Sequence, residues 1–130
     1  MTTIDKNQLL DAAQRAAKNS YVDYSHEPKG AALLADNGKV YVAACVENAA
    51  WGAAICAEAS ALAAAVADGQ RKFKMLAVAN GRFPCGTCLQ SLREFELKLE
   101  IITRTADGTV TARTLEQLLP NSFGPSHVPH

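Results

Sequence analysis

Two stretches of sequence decide the fold of this chain, namely CAEASALAAAVAD at residues 56–68 and PCGTC at residues 84–88. The first is rich in alanine and is followed directly by Gly69, which predicts a closely packed helix that ends at the glycine. The second opens another helix, expected over residues 85–97, whose apolar residues recur at three-residue spacing. Each of the two helices is therefore predicted to begin at a cysteine.

Strand candidates and two further helices surround these two helices. The strands are expected over residues 31–36, 39–46, 73–80, 99–105 and 109–113, and the helices over residues 4–19 and from Thr114 onward. Asn37-Gly38 between the first two strands is a strong hairpin signal, and Thr114 and Gln117 have the spacing of a capping box. The alternation of strands and helices predicts an α/β fold in three layers, with helices on both faces of the sheet.

The bulk composition limits the classes of protein to which the chain can belong. Its 130 residues suit a single domain spanning residues 1–130, and its apolar share of 48% is enough for a packed core. The formal net charge is zero, so nothing indicates a nucleic-acid partner or a membrane surface. The N-terminus lacks the pattern of a signal peptide, and the apolar runs are too short for a membrane span. We therefore expect a cytoplasmic protein.

Cys56, Cys85 and Cys88 have the residue type and position of metal ligands. A helix N-terminus carries unpaired N–H groups and partial positive charge, which are expected to lower a thiol pKa and favour the thiolate. Three thiolates leave the fourth tetrahedral position of Zn²⁺ for water, the arrangement of a catalytic zinc. Zinc makes such a water a nucleophile near neutral pH. Glu58, two residues from its neighbouring ligand, is placed to accept the water's proton and pass it to a leaving amine.

Each of these residues also has a plainer interpretation. A lone Cys56 packs like a small apolar residue, Cys85 and Cys88 alone fit a redox pair, and Glu58 alone fits a solvated carboxylate. Cys45 could complete a four-cysteine structural site, although it has no Cys-x-x-Cys partner of its own. Taken together, Cys-x-Glu followed by Pro-Cys-x-x-Cys favours a catalytic zinc. A catalytically silent, zinc-stabilised binding protein and a thiol redox protein remain alternatives.

At these motifs the chain resembles the small homotetrameric cytidine deaminases, over nearly its whole length. The resemblance is carried by Tyr24-Ser25 with Gly30–Leu34, by Val46–Ala50, by Cys56-Ala57-Glu58, by Pro84–Cys88 with Gln90, and by Leu118–Pro120 with Phe123. It implies a five-stranded mixed sheet between helices. It also implies hydrolysis of a C4 amine, which releases ammonia, and a tetramer whose sites are completed by neighbouring subunits.

The resemblance further implies roles for individual residues. Glu47 would hold a sugar hydroxyl, and the Ala57 amide would meet the 2-keto oxygen of the base. Phe123 would reach the base from a neighbouring subunit. Trp51 stands where tyrosine is common in the family, and we expect it to contact the substrate, to pack, or to lie at a subunit contact near the mouth of the site.

Several positions depart from the family pattern. Cys45 replaces an asparagine that precedes the sugar-binding glutamate, and Glu27 and Lys29 replace a phenylalanine and a valine. The arginines that usually follow the two zinc motifs are Ala59 and Leu89. Either Lys29 or Arg93 is a candidate for the missing positive charge. Glu27 is expected to pair with Lys29, at the surface or in the pocket, or to meet a donor on the substrate.

The sequence therefore predicts zinc-dependent hydrolytic deamination of an aminopyrimidine nucleoside. Cytidine and deoxycytidine, which would give uridine and deoxyuridine, are the default substrates. A modified or analogue nucleoside, such as an N4- or 5-substituted cytidine or blasticidin S, is the alternative indicated by Glu27, Lys29 and Cys45.

Overall fold

The computed structural model describes residues 4–130 of the chain. Its helices and strands follow one another in the order α1 (Lys6–Ala17), β1 (Gly30–Ala35), β2 (Val40–Ala44), α2 (Ala57–Ala67), β3 (Phe73–Val78), α3 (Gly86–Arg93), β4 (Glu100–Arg104), β5 (Val110–Thr114) and α4 (Leu115–Leu118). Short 3₁₀ turns lie at Trp51–Ala53 and Pro125–His127.

The five strands form one sheet in the order β2-β1-β3-β4-β5. β3 and β4 pair in parallel, and the other neighbours pair antiparallel, so the five-stranded mixed sheet that the resemblance implied is confirmed. All six residues of β1 are buried, as expected for a strand covered on both faces. The predicted hairpin is also confirmed, because β1 and β2 pair around Gly38, whose φ is 94°.

Helices cover both faces of the sheet, as the three-layer prediction requires. On one face, Leu9 and Ala13 of α1 pack with Ala32 of β1 and Ile102 of β4. On the other face, Leu62 of α2 and Leu92 of α3 belong to a second cluster of buried residues that contains Leu33, Leu76 and Ile101. The site described below lies on this second side, where α2 and α3 begin.

Most helices begin and end within about two residues of the positions predicted from the sequence. Both capping boxes form, with Asp5 and Gln8 at the start of α1 and with Thr114 and Gln117 at the start of α4. The predicted helix over residues 85–97 is too long, since α3 ends at Arg93. The chain turns there towards β4, and Phe95 packs edge-on against Phe73, with the ring centroids 5.8 Å apart. Tertiary packing after the turn therefore sets the end of α3.

Within residues 4–130, no helix has the length and apolar character needed to cross a membrane.

Candidate active site

The N-termini of α2 and α3 bring three cysteines together. Cys56 is the N-cap of α2 and Cys85 is the N-cap of α3, while Cys88 lies in the first turn of α3. The three sulfur atoms all lie within 4.8 Å of one another. No other group of three or more potential metal ligands is clustered in this way in the described part of the chain.

The three sulfurs fit a zinc ion. A tetrahedral ion with Zn–S bonds of about 2.3 Å separates its ligand sulfurs by about 3.8 Å, which is within the spread found here. Cys45, the fourth cysteine, is buried at the end of β2 and lies outside this group. The site therefore brings together the three cysteines that the sequence predicted as ligands, and the fourth cysteine lies outside it.

The thiol pKa values agree only in part with the expectation from helix N-termini. Backbone N–H groups of Cys88 and Thr87 donate to the Cys85 sulfur and lower its pKa. For Cys56 and Cys88 the prediction is wrong, because burial raises the pKa of both thiols and the neighbouring acidic groups add to the effect. A cation among the three sulfurs would reverse that balance, since a thiol that coordinates a metal ion is deprotonated.

Glu58 lies in the first turn of α2 and is 8% exposed. Burial raises the pKa of its carboxyl group, and a hydrogen bond from its own backbone N–H, a hydrogen bond with Cys88 and the charge of Lys29 oppose that rise. The plainer interpretation of Glu58, as a solvated carboxylate on a helix, is therefore wrong. A carboxyl group with a raised pKa next to a candidate metal site is suited to accepting and returning a proton.

A cavity of about 460 Å³ opens onto these groups. Its lining includes Cys56, Glu58 and Cys85, together with two segments, residues 26–29, which precede β1, and residues 78–80 and 82–84, which lead from the end of β3 to α3. The second segment contributes Asn80, Arg82 and Phe83, which sequence reasoning missed. The Asn80-Gly81 pair, which is typical of a tight turn, was the available signal, and both residues have positive φ.

Two contacts join the walls of this cavity. The Asn80 side-chain amide donates to the Pro28 carbonyl, and Arg82 Nη1 lies 3.5 Å from Glu27 Oε2. The expected pair between Glu27 and Lys29 is wrong, because Glu27 is paired with Arg82 instead. Arg82 is far from Glu27 in the sequence, on the loop before Pro84, so the sequence did not indicate this pairing.

Of the two candidates for the missing positive charge, only Lys29 lines the cavity. Arg93 points away from it, because its Nε donates to Ser122 Oγ at 2.8 Å. Its guanidinium also lies so close to Gly124 that a Cβ there would come within 2.3 Å of it. Arg93 therefore fastens the C-terminal segment to α3.

Glu47 and Trp51 line a second, separate hollow of about 340 Å³, with Tyr24, Ser25 and others. The Glu47 carboxylate accepts hydrogen bonds from the Tyr24 N–H, the Ser25 N–H and the Ser25 hydroxyl. The Ser25 bonds are the main reason that the pKa of Glu47 lies below its usual value. Glu47 is thus held ionised in a fixed orientation.

The remaining predicted residues lie at different places around the two hollows. Ala57 is buried as the first residue of α2, so its N–H belongs to the helix N-terminus. Cys45 is buried, and its N–H donates to the Lys29 carbonyl at 3.1 Å. Phe123 is 59% exposed, and its carbonyl accepts from Gln90 Nε2. Trp51 is 87% exposed, at the edge of the hollow that contains Glu47.

Comparison with known proteins identifies the family. The family described as "Cytidine and deoxycytidylate deaminase zinc-binding region" matches residues 3–103. The chain belongs to this deaminase family. A cytidine deaminase of Sporosarcina psychrophila is 37% identical over 125 residues, covering 92% of each chain. A cytidine deaminase of Mycobacterium tuberculosis is 36% identical over 133 residues, covering 99% of this chain and 97% of the other.

Solved structures of cytidine deaminases share the fold. The crystal structure of cytidine deaminase from Burkholderia pseudomallei matches with a TM-score of 0.88 and 35% sequence identity, covering 92% of this chain and all of the other. The family, the α/β fold and the zinc chemistry that the sequence predicted are thereby confirmed, and Cys56, Cys85 and Cys88 form the candidate zinc site of this deaminase chain.

Proposed function

We propose that this chain catalyses the zinc-dependent hydrolytic deamination of cytidine and deoxycytidine to uridine and deoxyuridine, with release of ammonia. The observation that carries the proposal is the cluster of three cysteine sulfurs beside the buried Glu58, at a cavity that Cys56, Cys85 and Glu58 line. A purely structural zinc site does not require a buried carboxylate, and burying a carboxylate costs free energy because the group loses its hydration. The silent binding protein and the thiol redox protein are therefore less well supported.

In this mechanism Cys56, Cys85 and Cys88 would hold the zinc ion. When bound there, zinc supplies a nucleophilic water with a pKa near neutrality. The buried Glu58 carboxylate accepts a proton at one of its oxygens and donates it to the amine nitrogen as that group leaves. Burial raises the pKa of Glu58, so the carboxyl group can hold the proton between the two transfers.

Binding and orientation of the substrate are the proposed tasks of other residues. The Ala57 N–H, at the positive end of α2, is suited to an electron-rich keto oxygen of the base. Glu47, oriented by Tyr24 and Ser25, is suited to accept from a sugar hydroxyl. Glu27 lines the cavity, Trp51 lines the hollow that contains Glu47, and the Cys45 N–H donates to the Lys29 carbonyl; these three residues are further candidates for substrate contact.

We also propose that the chain is a single domain that assembles as a homotetramer. Trp51, Ile55 and Phe123 are large apolar residues with exposures of 87%, 49% and 59%, and exposed apolar surface of this kind is typical of subunit contacts. Phe123 does not line either hollow of its own chain, as expected if it completes a neighbour's site. Sedimentation of the zinc-loaded protein tests this, since a monomer would contradict it. The cytoplasmic location stays a prediction.

A modified nucleoside is the second candidate substrate. Glu27, Lys29 and Arg82 all line the cavity, whereas cytidine carries no charge. Ammonia release from a panel of nucleosides tests both candidates, with cytidine, deoxycytidine, N4- and 5-substituted cytidines and blasticidin S compared by kcat/KM. Turnover of cytidine at a far higher kcat/KM than the analogues would support the first candidate. Silence on every member of the panel would contradict the proposed function.

A further inference from the structure

The Phe123 ring is exposed to solvent and is nevertheless held by its own chain. It stacks on the His127 imidazole, with the ring centroids 5.6 Å apart and the planes at 27°. Phe123 is 59% exposed and lines neither hollow of its own chain. A large apolar side chain at the surface is typical of contact with another molecule. A ring that is already held in place loses less conformational freedom when that contact forms.

His127 is itself fixed by the backbone of Gly124. The Gly124 N–H donates to His127 Nδ1 at 3.0 Å, and the His127 N–H donates to the Gly124 carbonyl, also at 3.0 Å. The two hydrogen bonds close the short turn Pro125–His127. They set the orientation of the imidazole, and the face of the imidazole in turn supports the Phe123 ring.

Helix α3 holds the same part of the backbone from the other side. The Arg93 guanidinium packs so closely on Gly124 that a Cβ there would lie 2.3 Å from it. Arg93 Nε donates to Ser122 Oγ at 2.8 Å, and Gln90 Nε2 donates to the Phe123 carbonyl at 2.9 Å. Because α3 begins at the candidate zinc site, the segment around Phe123 is anchored to an element of that site. Positions anchored to a helix are defined more precisely than positions on a loop.

The stack of Phe123 on His127 contributes little to the core, because both residues are exposed and their contact buries little apolar surface. What the contacts supply is a fixed orientation of the Phe123 ring. We propose that His127 and Arg93 are positioning residues that hold this ring ready to contact the substrate base in a neighbouring copy of the chain. This inference rests on the proposed function, in which Phe123 completes a neighbour's site, and adds the residues that orient Phe123. Substrate binding benefits from them, and the chemical step does not.

Replacement of His127 should therefore affect KM and leave kcat nearly unchanged. In the zinc-loaded protein, we expect His127→Ala to raise KM for cytidine about two- to tenfold, as expected for loss of one aromatic contact. Arg93→Met should raise KM as well, because the contact with Ser122 is lost. His127→Asn keeps an acceptor for the Gly124 N–H and should recover part of the loss. His130→Ala is the matched control, since His130 is another exposed histidine of the same segment, and it should change neither constant.

A double-mutant cycle shows whether His127 acts through Phe123. Phe123→Ala should raise KM by itself. In that background we expect His127→Ala to raise KM by less than about twofold further, because the ring that His127 positions is already gone. A merely structural role of His127 would instead give the same rise in both backgrounds, and that result would overturn the inference.

Mixed assemblies show whether Phe123 acts in a neighbouring copy. Copies with His127→Ala and copies with Glu58→Gln are given different affinity tags, expressed together and purified through both tags. Only the first kind retains Glu58, so all turnover comes from its sites. Part of that turnover should regain the KM of the unmodified protein, since the Glu58→Gln copies supply a correctly held Phe123. Copies that carry both changes are the matched control and should restore nothing.

Two further results would overturn the inference. One is a KM that stays raised in every mixed assembly, which would mean that Phe123 serves its own copy. The other is a monomeric protein in sedimentation, which would leave the deamination itself unaffected. Failure of the proposed function is read separately, as absence of ammonia release from cytidine and from every analogue by the unmodified, zinc-loaded protein.

Discussion

The hydroxyl and the backbone N–H of Ser25 donate to opposite oxygens of the Glu47 carboxylate, at 2.5 Å and 3.0 Å. The same hydroxyl accepts from the Glu27 N–H at 3.1 Å. Ser25 therefore links the proposed sugar-binding carboxylate to the segment that forms one wall of the cavity. Residues from two separate parts of the chain are oriented by one small side chain.

Replacement of Ser25 should weaken substrate binding more than it slows the chemistry. Ser25→Ala removes one hydrogen bond to Glu47, and we expect KM for cytidine to rise about two- to tenfold with kcat little changed. Steady-state kinetics measures both constants. Ser91→Ala is the control, because its hydroxyl donates to the Thr87 carbonyl within α3. A fall in kcat with unchanged KM would show that Ser25 acts on the reacting atoms instead.

The same variant should alter the pH dependence of KM. Ser25 lowers the pKa of Glu47, so in the unmodified protein the carboxylate stays ionised as the pH falls below the ordinary range of a glutamate. In Ser25→Ala the pKa of Glu47 moves back up, and KM should begin to rise at a higher pH than in the unmodified protein. KM profiles between pH 4 and 8 would measure this shift, and profiles that superimpose after scaling would contradict it.

Removal of the Glu58 carboxylate should separate catalysis from metal binding. We expect Glu58→Gln to retain one zinc ion per chain and to lose about 10²–10⁴-fold in kcat, because a general acid–base group is lost. Ammonia release and elemental analysis measure the two effects. Glu94→Gln is the matched control, since Glu94 is exposed at the end of α3. Loss of zinc in Glu58→Gln would place this residue among the metal ligands.

The cysteines should differ in their importance for zinc. Cys88→Ser removes a proposed zinc ligand. Loss of a residue that only hydrogen-bonds to a ligand typically lowers metal affinity about 10–100-fold, and we expect a larger fall in zinc affinity here. Cys45→Ser changes a buried thiol outside the cluster and should leave one zinc ion per chain. Competition with a chelator measures both affinities. Equal losses in the two variants would indicate a four-cysteine structural site.

The sequence predicted the part of the site that depends on local patterns. Cys56 and Cys85 begin helices because each precedes a helix-forming stretch, and the hairpin at Gly38 follows from its turn residues. The pairing of Glu27 with Arg82 could not be predicted in this way, because it depends on how two distant loops meet across the cavity. The raised pKa of Cys88 likewise depends on three-dimensional burial.

Gly30 shows how closely α1 packs on the sheet. A Cβ at this position would lie 2.3 Å from the Ala13 carbonyl oxygen and 2.5 Å from the Ala17 nitrogen. Gly30→Ala should therefore lower the free energy of unfolding by at least about 1 kcal/mol, because the backbone of α1 must move away from the added carbon. Gly52→Ala is the control, with nothing within 4 Å of the added carbon. Thermal unfolding of both variants measures the difference, and equal melting temperatures would contradict the close packing.

Three cysteines and Glu58 form the proposed zinc-dependent deaminase site of this chain. The most direct measurement is ammonia release from cytidine by one preparation of the protein as purified, after removal of zinc, and after zinc is restored. We expect turnover with one zinc ion per chain, loss of turnover on removal of zinc, and recovery in proportion to the zinc restored. Turnover that persists in the zinc-free protein would contradict this expectation.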